Sequence, residues 1–470
     1  MSDGSQSPSF GADEVVALAG GRVVRQSDRP VRGAAVDSRL VRPGNVFIAL
    51  PGAHVDGHAF VGDAIAAGAA AAIVSREPAD LEALGRATVI VVDDPLAALH
   101  RLAAAWRRRF DPLVVGITGS IAKTSTKEAV AAVLGRHYRT LRTPGNMNNE
   151  IGLPVALLDL EPEHEAAVLE MGMYVGGEIA TLAAIARPDI GVVTAVQGVH
   201  LSRAGTLDAI EDAKAELVEA LPASGVAVLS ADDARVRGMA DRTPARVLTY
   251  GFAADADVRA VEVRSEGFSG MAFWLRLDGQ ELPVRIPTLG ALAVHNALAA
   301  AAVGRAAGLS TVDIVDGLAA GWSAPHRAQL SIVAGVAVVD DAYNASPGSM
   351  RAALELLSGL PGRRIAVLGE MRELGEAASA GHREVGAAAA VVCDLLLVVG
   401  PEAAGIADGA IESGLGPDAV VRTADWREAR TVLADILGDG DVVLVKASRA
   451  AELDRLVDAI IHDLGTQAGS

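Results

Sequence analysis

The stretch Asp111–Glu128, DPLVVGITGSIAKTSTKE, constrains this chain more than any other. Leu113–Ile117 is a short, β-branched apolar run of the kind that forms a buried parallel strand. A small-residue turn follows, Thr118-Gly119-Ser120-Ile121-Ala122, and then Lys123, Thr124 and Ser125 lead into a helical run over Thr126–Leu134. Strand, turn with free backbone N–H groups, lysine, hydroxyl and helix together make a phosphate loop. In such a loop the backbone of Gly119, Ser120 and Ala122 cradles a polyphosphate. Lys123 reaches the outer phosphates, and Thr124 offers an oxygen to Mg²⁺. Two positions depart from G-x-x-x-x-G-K: Ile117 replaces the first glycine and Ala122 the last. The expectation at Ala122 is a negative φ, since only there does an alanine sit without strain. The other reading is an ordinary strand–helix connection.

Lysine usage points the same way. The chain carries 41 Lys and Arg, of which only Lys123, Lys127, Lys214 and Lys446 are lysines. Where charge alone matters this protein uses arginine, so its few lysines mark places that need a compact ammonium or an amine able to lose its proton. Net charge is −18, which disfavours nucleic acid and anionic membranes as partners. An anionic ligand must then be held by local cations, Mg²⁺ and helix N-termini. No long uncharged apolar run suggests stable membrane insertion, and the polar N-terminus is unlike a signal peptide, so the expected location is cytoplasmic. The one cysteine, Cys393, lies in an apolar segment and reads as a core residue.

The 470 residues divide into an α/β protein of three units. Residues 1–110 read as a small α/β domain with strands at Val46–Leu50, Ala71–Val74 and Thr88–Val92. Its polar segment Asp37-Ser38-Arg39 is either a phosphate grip or an Asp–Arg surface turn. Leu96–Arg109 reads as a helix whose Arg107-Arg108-Arg109 end is solvated. Residues 111–324 hold the phosphate loop, a parallel sheet and, over Val258–Arg264, Met271–Leu277 and Leu282–Ile286, appended antiparallel strands. Asn146, Asn148 and Asn149 crowd one loop in a chain with six asparagines; they form either a working polar loop or a helix cap. Glu170 and His200 follow strands at Ala166–Leu169 and Val192–Val196, on the rim where α/β sheets bind ligands. With Thr124 they make an O/N set suited to Mg²⁺ bridging phosphates. His200 reads equally as a structural residue. Lys214 is either a surface partner of Glu211 or a chemically modified, metal-linked lysine. Asn296, near the start of an Ala-rich helix, can read an adenine edge. Residues 325–470 form a third, parallel α/β domain with strands at Ile365–Leu368, Leu395–Val399 and Val442–Val445; Lys446 ends the last of these.

Taken in order, these motifs resemble the Mur ligases of peptidoglycan synthesis over nearly the whole chain. The segments that carry the resemblance are DSR with PGNVFIAL and DGH, TGSIAKTSTKE, GNMNNEIGLP, LEMGM with GGEIA, VHLSRAG with AKAEL, HNALAA, DDAYNASPGSMRAAL and LGEMRELGEAASAGHREVG. The resemblance implies an N-terminal UDP-sugar-binding domain, a central P-loop ATPase domain and a C-terminal Rossmann-like domain. It is nearest the type that joins D-Ala-D-Ala to UDP-MurNAc-tripeptide, at the expense of ATP, through an acyl phosphate. It implies that Lys123 and Mg²⁺ neutralise the moving phosphoryl group, Thr124 and Glu170 hold one Mg²⁺, and His200 with a carbamylated Lys214 a second. Asn149 would lie by the transferred phosphate. Asn296 would read adenine, Arg327 the γ-phosphate and Asp341 the ribose. Ser38 and Arg39 match the uridine end, and Tyr343, Asn344 and Lys446 the substrate side of the closing domain. A monomer is implied by analogy. Ala122, Ala195, Gln197 and Ser346 depart from the family pattern without removing a group the reaction needs. Two rival readings are a ligase that adds the third amino acid, although the D-N-P-R signature of its diaminopimelate-specific members is absent here, and a non-catalytic nucleotide-binding homologue.

Overall fold

The computed structural model describes residues 8–52, 55–198 and 205–468. Among them, three sheets follow one another along the chain. The first contains β1 (Arg22–Arg25), β2 (Ala34–Ala35), β3 (Val46–Ile48), β4 (Ala71–Val74) and β5 (Thr88–Val91), in spatial order β1-β5-β4-β3-β2. All pairs are parallel except β1 with β5. β3 and β4 are apolar and buried at every position, as strands covered on both faces must be.

A helix over Pro95–Arg107 leaves this sheet. Asp94 caps it by accepting from the Ala97 N–H, and Pro95 occupies the first turn, where no N–H is needed. At its C-terminal end Arg108 is exposed, as expected of a solvated run, but its neighbours are not free in water. Arg107 is buried and donates from Nε to the Ala186 carbonyl, 2.9 Å away. The Arg109 guanidinium lies 4.3 Å from the Phe10 ring centroid and 4.9 Å from that of Trp106. These arginines belong to a seam between the first and second sheets. Trp106 sits in it, donating from Nε1 to the Leu160 carbonyl. One apolar cluster crosses the seam, from Phe10, Leu99, Leu102 and Trp106 to Leu153, Leu169, Ile179 and Leu217.

The second sheet runs β14-β13-β12-β11-β10-β9-β6-β8-β7. Its strands are β6 (Leu113–Thr118), β7 (Thr140–Arg142), β8 (Ala166–Glu170), β9 (Ile190–Val193), β10 (Val226–Ser230), β11 (Arg246–Gly251), β12 (Val258–Ser265), β13 (Met271–Leu277) and β14 (Gln280–Ile286). β12 to β14 are the antiparallel extension expected from the sequence. From β6 the chain passes to β7 on one side, and from β9 to β10 on the other. The crevice between β6 and β9 is thus the point where the winding reverses, and the phosphate loop opens there. Behind it, the helix Lys123–Leu134 packs on the helix Ala291–Ala306, whose alanines 299–302 are fully buried. Small side chains bring the two helices close.

The third sheet runs β15-β16-β20-β17-β18-β19, parallel except for β15. It consists of β15 (Gln329–Val333), β16 (Val336–Asp340), β17 (Arg363–Gly369), β18 (Leu395–Val399), β19 (Val420–Thr423) and β20 (Asp441–Lys446). Cys393 is buried in this unit, and burial pushes its thiol up to about 12, so it is an inert core group. The second and third units touch less intimately: Leu289 and Phe268 pack onto the third unit's core beside Leu356, and Ser265 Oγ donates to the Gly359 carbonyl.

Candidate active site

The C-terminal ends of β6 and β8 face those of β16 and β20 across a cavity of about 590 Å³. The phosphate loop forms its floor. Gly119 has φ +150°, and a Cβ there would lie 1.9 Å from Thr194 Oγ1, so only glycine fits. Ala122 corrects the expectation of a negative φ: it stands in the left-handed region at φ 66°, ψ 0°. Holding an alanine there costs about 1–2 kcal/mol. Tertiary hydrogen bonds enforce it. Thr194 Oγ1 donates to the Ile121 carbonyl (2.7 Å), and the Ser120 N–H to that of Ala195 (2.8 Å). Ser120 Oγ both donates to the Gln197 carbonyl and accepts from its N–H, each at 2.9 Å. The departures at Ala195 and Gln197 therefore lie in the segment that pins the loop, and they act through backbone atoms that any residue would supply.

Lys123, Thr124 and Ser125 all line the cavity. Lys123 Nζ donates to the Gly119 carbonyl at 2.8 Å, and burial lowers its pKa against the opposing pull of Glu170. Glu170 ends β8. Its Oε1 accepts from Asn148 Nδ2 at 2.7 Å, and its N–H donates to Thr143 Oγ1. Its Oε2 and Thr124 Oγ1 are buried with no hydrogen-bond partner. Leaving such an atom unsatisfied costs about 1–3 kcal/mol. Two hard oxygens left open beside a phosphate loop are the donor chemistry Mg²⁺ takes alongside phosphate oxygens and water. The residues present thus fit a magnesium ion. Among the described residues no group of three or more His, Cys, Asp or Glu forms a metal cluster, and His200 lies outside the described residues.

The asparagine loop divides its labour. Asn149 Oδ1 accepts from the N–H groups of Gly152 (2.8 Å) and Ile151 (3.3 Å), capping the next helix while its residue still lines the cavity. Asn148, one of the three crowded asparagines, orients Glu170. Lys127 turns away from the loop it follows. It is fully buried, with Nζ on the carbonyls of Thr143 (2.7 Å) and Gly145 (3.1 Å) and beside Glu128. It supports the segment that carries Asn148.

Lys214 is no surface partner of Glu211, which pairs with Arg235 instead. Lys214 is buried, lines the cavity, and among the described residues no hydrogen bond or ion pair holds its ammonium. Burial, reinforced by the charge of Lys123, holds its pKa well below the ordinary lysine value. Asn296 is buried on the cavity wall, and its Oδ1 accepts from Thr126 Oγ1 at 3.0 Å. Thr126, overlooked in the sequence, fixes which way that amide points.

The third unit closes the cavity. The Arg327 guanidinium lies 4.2 Å from the Tyr343 ring centroid. Lys446, expected to meet substrate, is buried and donates to Asp341 Oδ2 (2.6 Å) and the Asn344 carbonyl (2.9 Å). Asp341 Oδ1 accepts from the Ala328 N–H. Lys446 and Asp341 thus brace the loop that presents Tyr343, and both lie on the cavity wall with Asn344. Ser38 and Arg39 are not brought to this cavity. They sit in a short turn of the first unit capped by Asp37, whose carboxyl the paired Arg39 lowers to about 2. In that turn the exposed Arg39 side chain pairs with Asp37 at 2.6 Å. No helix among the described residues is long and apolar enough to cross a membrane.

Known proteins share this plan. The family described as "Mur ligase family, catalytic domain" matches residues 30–107, "Mur ligase middle domain" residues 117–304, and "Mur ligase, glutamate ligase domain" residues 326–449. The chain is 36% identical over 439 residues to the UDP-N-acetylmuramoyl-tripeptide–D-alanyl-D-alanine ligase of Bacillus subtilis, covering 92% of this chain and 93% of that one. It superposes on a crystal structure of MurF from Acinetobacter baumannii with TM-score 0.87 and 29% identity, covering 97% and 99% of the two chains. The MurF ligase of Thermotoga maritima in complex with ADP matches with TM-score 0.82 and 31% identity, over 93% and 99%.

Proposed function

This chain belongs to the Mur ligase family, and from that premise we propose how its cavity works. It is an ATP-dependent ligase of peptidoglycan synthesis that joins D-Ala-D-Ala to UDP-MurNAc-tripeptide. The observation that carries the site reading is the pair of buried, unpaired oxygens on Thr124 and Glu170 next to Lys123.

ATP lies with its phosphates on the N–H groups of the phosphate loop, and Lys123 leaves the Gly119 carbonyl for the outer phosphates. Asn296 reads the adenine edge, its Nδ2 donating to a ring nitrogen and its half-used Oδ1 accepting from the exocyclic amine. Thr124 and Glu170 would hold Mg²⁺, which would supply charge neutralisation at the phosphates. Asn148 keeps Glu170 Oε2 turned inward. Lys214, whose pKa burial lowers, would take up CO₂ to become a carbamate, and with His200 would hold a second cation. A buried arginine keeps its proton and could not do this. The tripeptide carboxylate attacks the γ-phosphorus, ADP leaves, and an acyl phosphate results. Lys123, Arg327 and Asn149 surround the charge that develops on the moving group. The amine of D-Ala-D-Ala then attacks the acyl carbon, and the tetrahedral adduct collapses with loss of phosphate. Ser38 and Arg39 take the uridine end at a distance from the chemistry. A monomer in the cytoplasm is the setting assigned.

Phosphate release from ATP with UDP-MurNAc-tripeptide, with and without D-Ala-D-Ala, tests this. Release that requires D-Ala-D-Ala is expected. Release with a single amino acid instead would favour the third-residue ligase, and no release with any acceptor an inert homologue.

A further inference from the structure

The incoming dipeptide has two ends with opposite needs. Its amine must reach the activated carbonyl above the phosphate loop. Its terminal carboxylate must be kept from the phosphates, which repel it. Two extended residues span about 7 Å, so the carboxylate needs an anchor on the far side of the cavity. In a chain of net charge −18 that anchor must be a cation not already neutralised.

The third unit brings four basic side chains to the cavity wall: Arg327, Arg372, Lys446 and Arg449. Lys446 is committed to Asp341 and Asn344. Arg372 donates from Nε to Glu370 Oε1 at 2.7 Å. Arg327, which lines the cavity with Lys123, is assigned to the phosphates by the proposed reaction. Arg449 is left. It is exposed at the rim, and among the described residues no carboxylate pairs with it. Its guanidinium lies 5.5 Å from the ring centroid of Tyr343, the ring that Arg327 also covers. The backbone beneath it is fixed: the Ser448 N–H donates to the Glu370 carbonyl, and Ser448 Oγ accepts from the Arg372 N–H, each at 2.9 Å. A guanidinium on a firm base beside an aromatic ring suits two-pronged recognition of a carboxylate.

We propose that Arg449, placed against Tyr343, binds the terminal carboxylate of D-Ala-D-Ala and so sets the acceptor specificity of the ligase. Arg327 then serves the phosphates and Arg449 the acceptor, both guanidiniums lying beside the Tyr343 ring. The assignment rests on the ligase reading above and deepens it.

The test compares D-Ala-D-Ala with its C-terminal amide in phosphate release, at saturating ATP and UDP-MurNAc-tripeptide, for the unmodified enzyme, Arg449→Met and Arg449→Lys. The unmodified enzyme should favour the acid by about 10- to 100-fold in kcat/KM, the range of a charge-assisted hydrogen bond. Arg449→Met should bring that ratio near one through a raised KM for the acid, leaving the amide's values and the KM for ATP as they were. Arg449→Lys should recover part of the preference. An unmodified enzyme indifferent to the amide overturns the assignment, as does a Met variant that keeps the preference or loses acid and amide equally. Phosphate release that ignores D-Ala-D-Ala altogether removes the ligase reading, and this assignment with it.

Discussion

The two seams of this molecule are built from different materials. Between the first and second units, Phe10, Leu99, Leu102 and Trp106 interleave with Leu153, Leu169 and Ile179 in one continuous apolar cluster. Arg107 and Arg109 are drawn into it by a carbonyl and by ring faces. The second and third units face each other across the cavity, lined by Lys123, Glu170, Lys214, Arg327 and Tyr343. Apolar contact there narrows to Leu289 and Phe268 against the third unit. An apolar seam is costly to part, because every side chain pulled out loses its burial. A polar, cavity-lined seam exchanges its contacts for water at little cost and is free to open for substrates. The contrast predicts that the first two units behave as one body and that the third swings relative to them. Residues 326 and 328, at the link into the third sheet, have φ values of 55° and 49°, in the left-handed region.

Four substitutions would break or sharpen this contrast. Lys123→Ala, on the open seam, should lower turnover on the order of 10⁴-fold, the scale of losing a phosphate-directed cation, with the urea midpoint unchanged. A large fall in that midpoint would mean the cavity also holds the fold together. Trp106→Ala, on the closed seam, should cost about 3–5 kcal/mol of unfolding free energy while the folded fraction keeps its kcat. Denaturant unfolding followed beside phosphate release would show it, and a selective loss of kcat would count against a rigid first body. Asn148→Ala frees Glu170 to turn, and Mn²⁺ affinity without nucleotide, read by paramagnetic resonance, should weaken about tenfold. Ala122→Gly is the smallest. Relief of the left-handed alanine, about 1–2 kcal/mol, is offset by the greater freedom of glycine in the unfolded chain, leaving a gain of about 0.5–1 kcal/mol by urea titration.

What could be read from the sequence follows the same division. β6, β8 and the paired β12 to β14 were legible because burial on both faces, or on alternate residues, writes itself into hydrophobicity. Lys123, Thr124 and Glu170 were legible because their chemistry is tied to position on a strand end or loop. Asn148 and Asn149 could not be told apart: which of two neighbours orients Glu170 and which caps a helix depends on the path of the loop in space. Arg107 read as solvated because nothing local reports that a second sheet covers it. The backbone at Ala122 was misjudged for a like reason, since Thr194 and Ser120, distant in sequence or silent in pattern, impose it. Lys446 was recognised as special, but its partners Asp341 and Asn344 come from a strand end and loop a hundred residues earlier.

The pinning of the loop from Gly119 to Ala122 bears on the tempo of the enzyme. Because Thr194, Ala195 and Gln197 already hold that bend, a nucleotide meets a finished socket and little chain has to be ordered on its arrival. Capture of ATP should then be quick and nearly rigid-body, with little chain reordering at the loop.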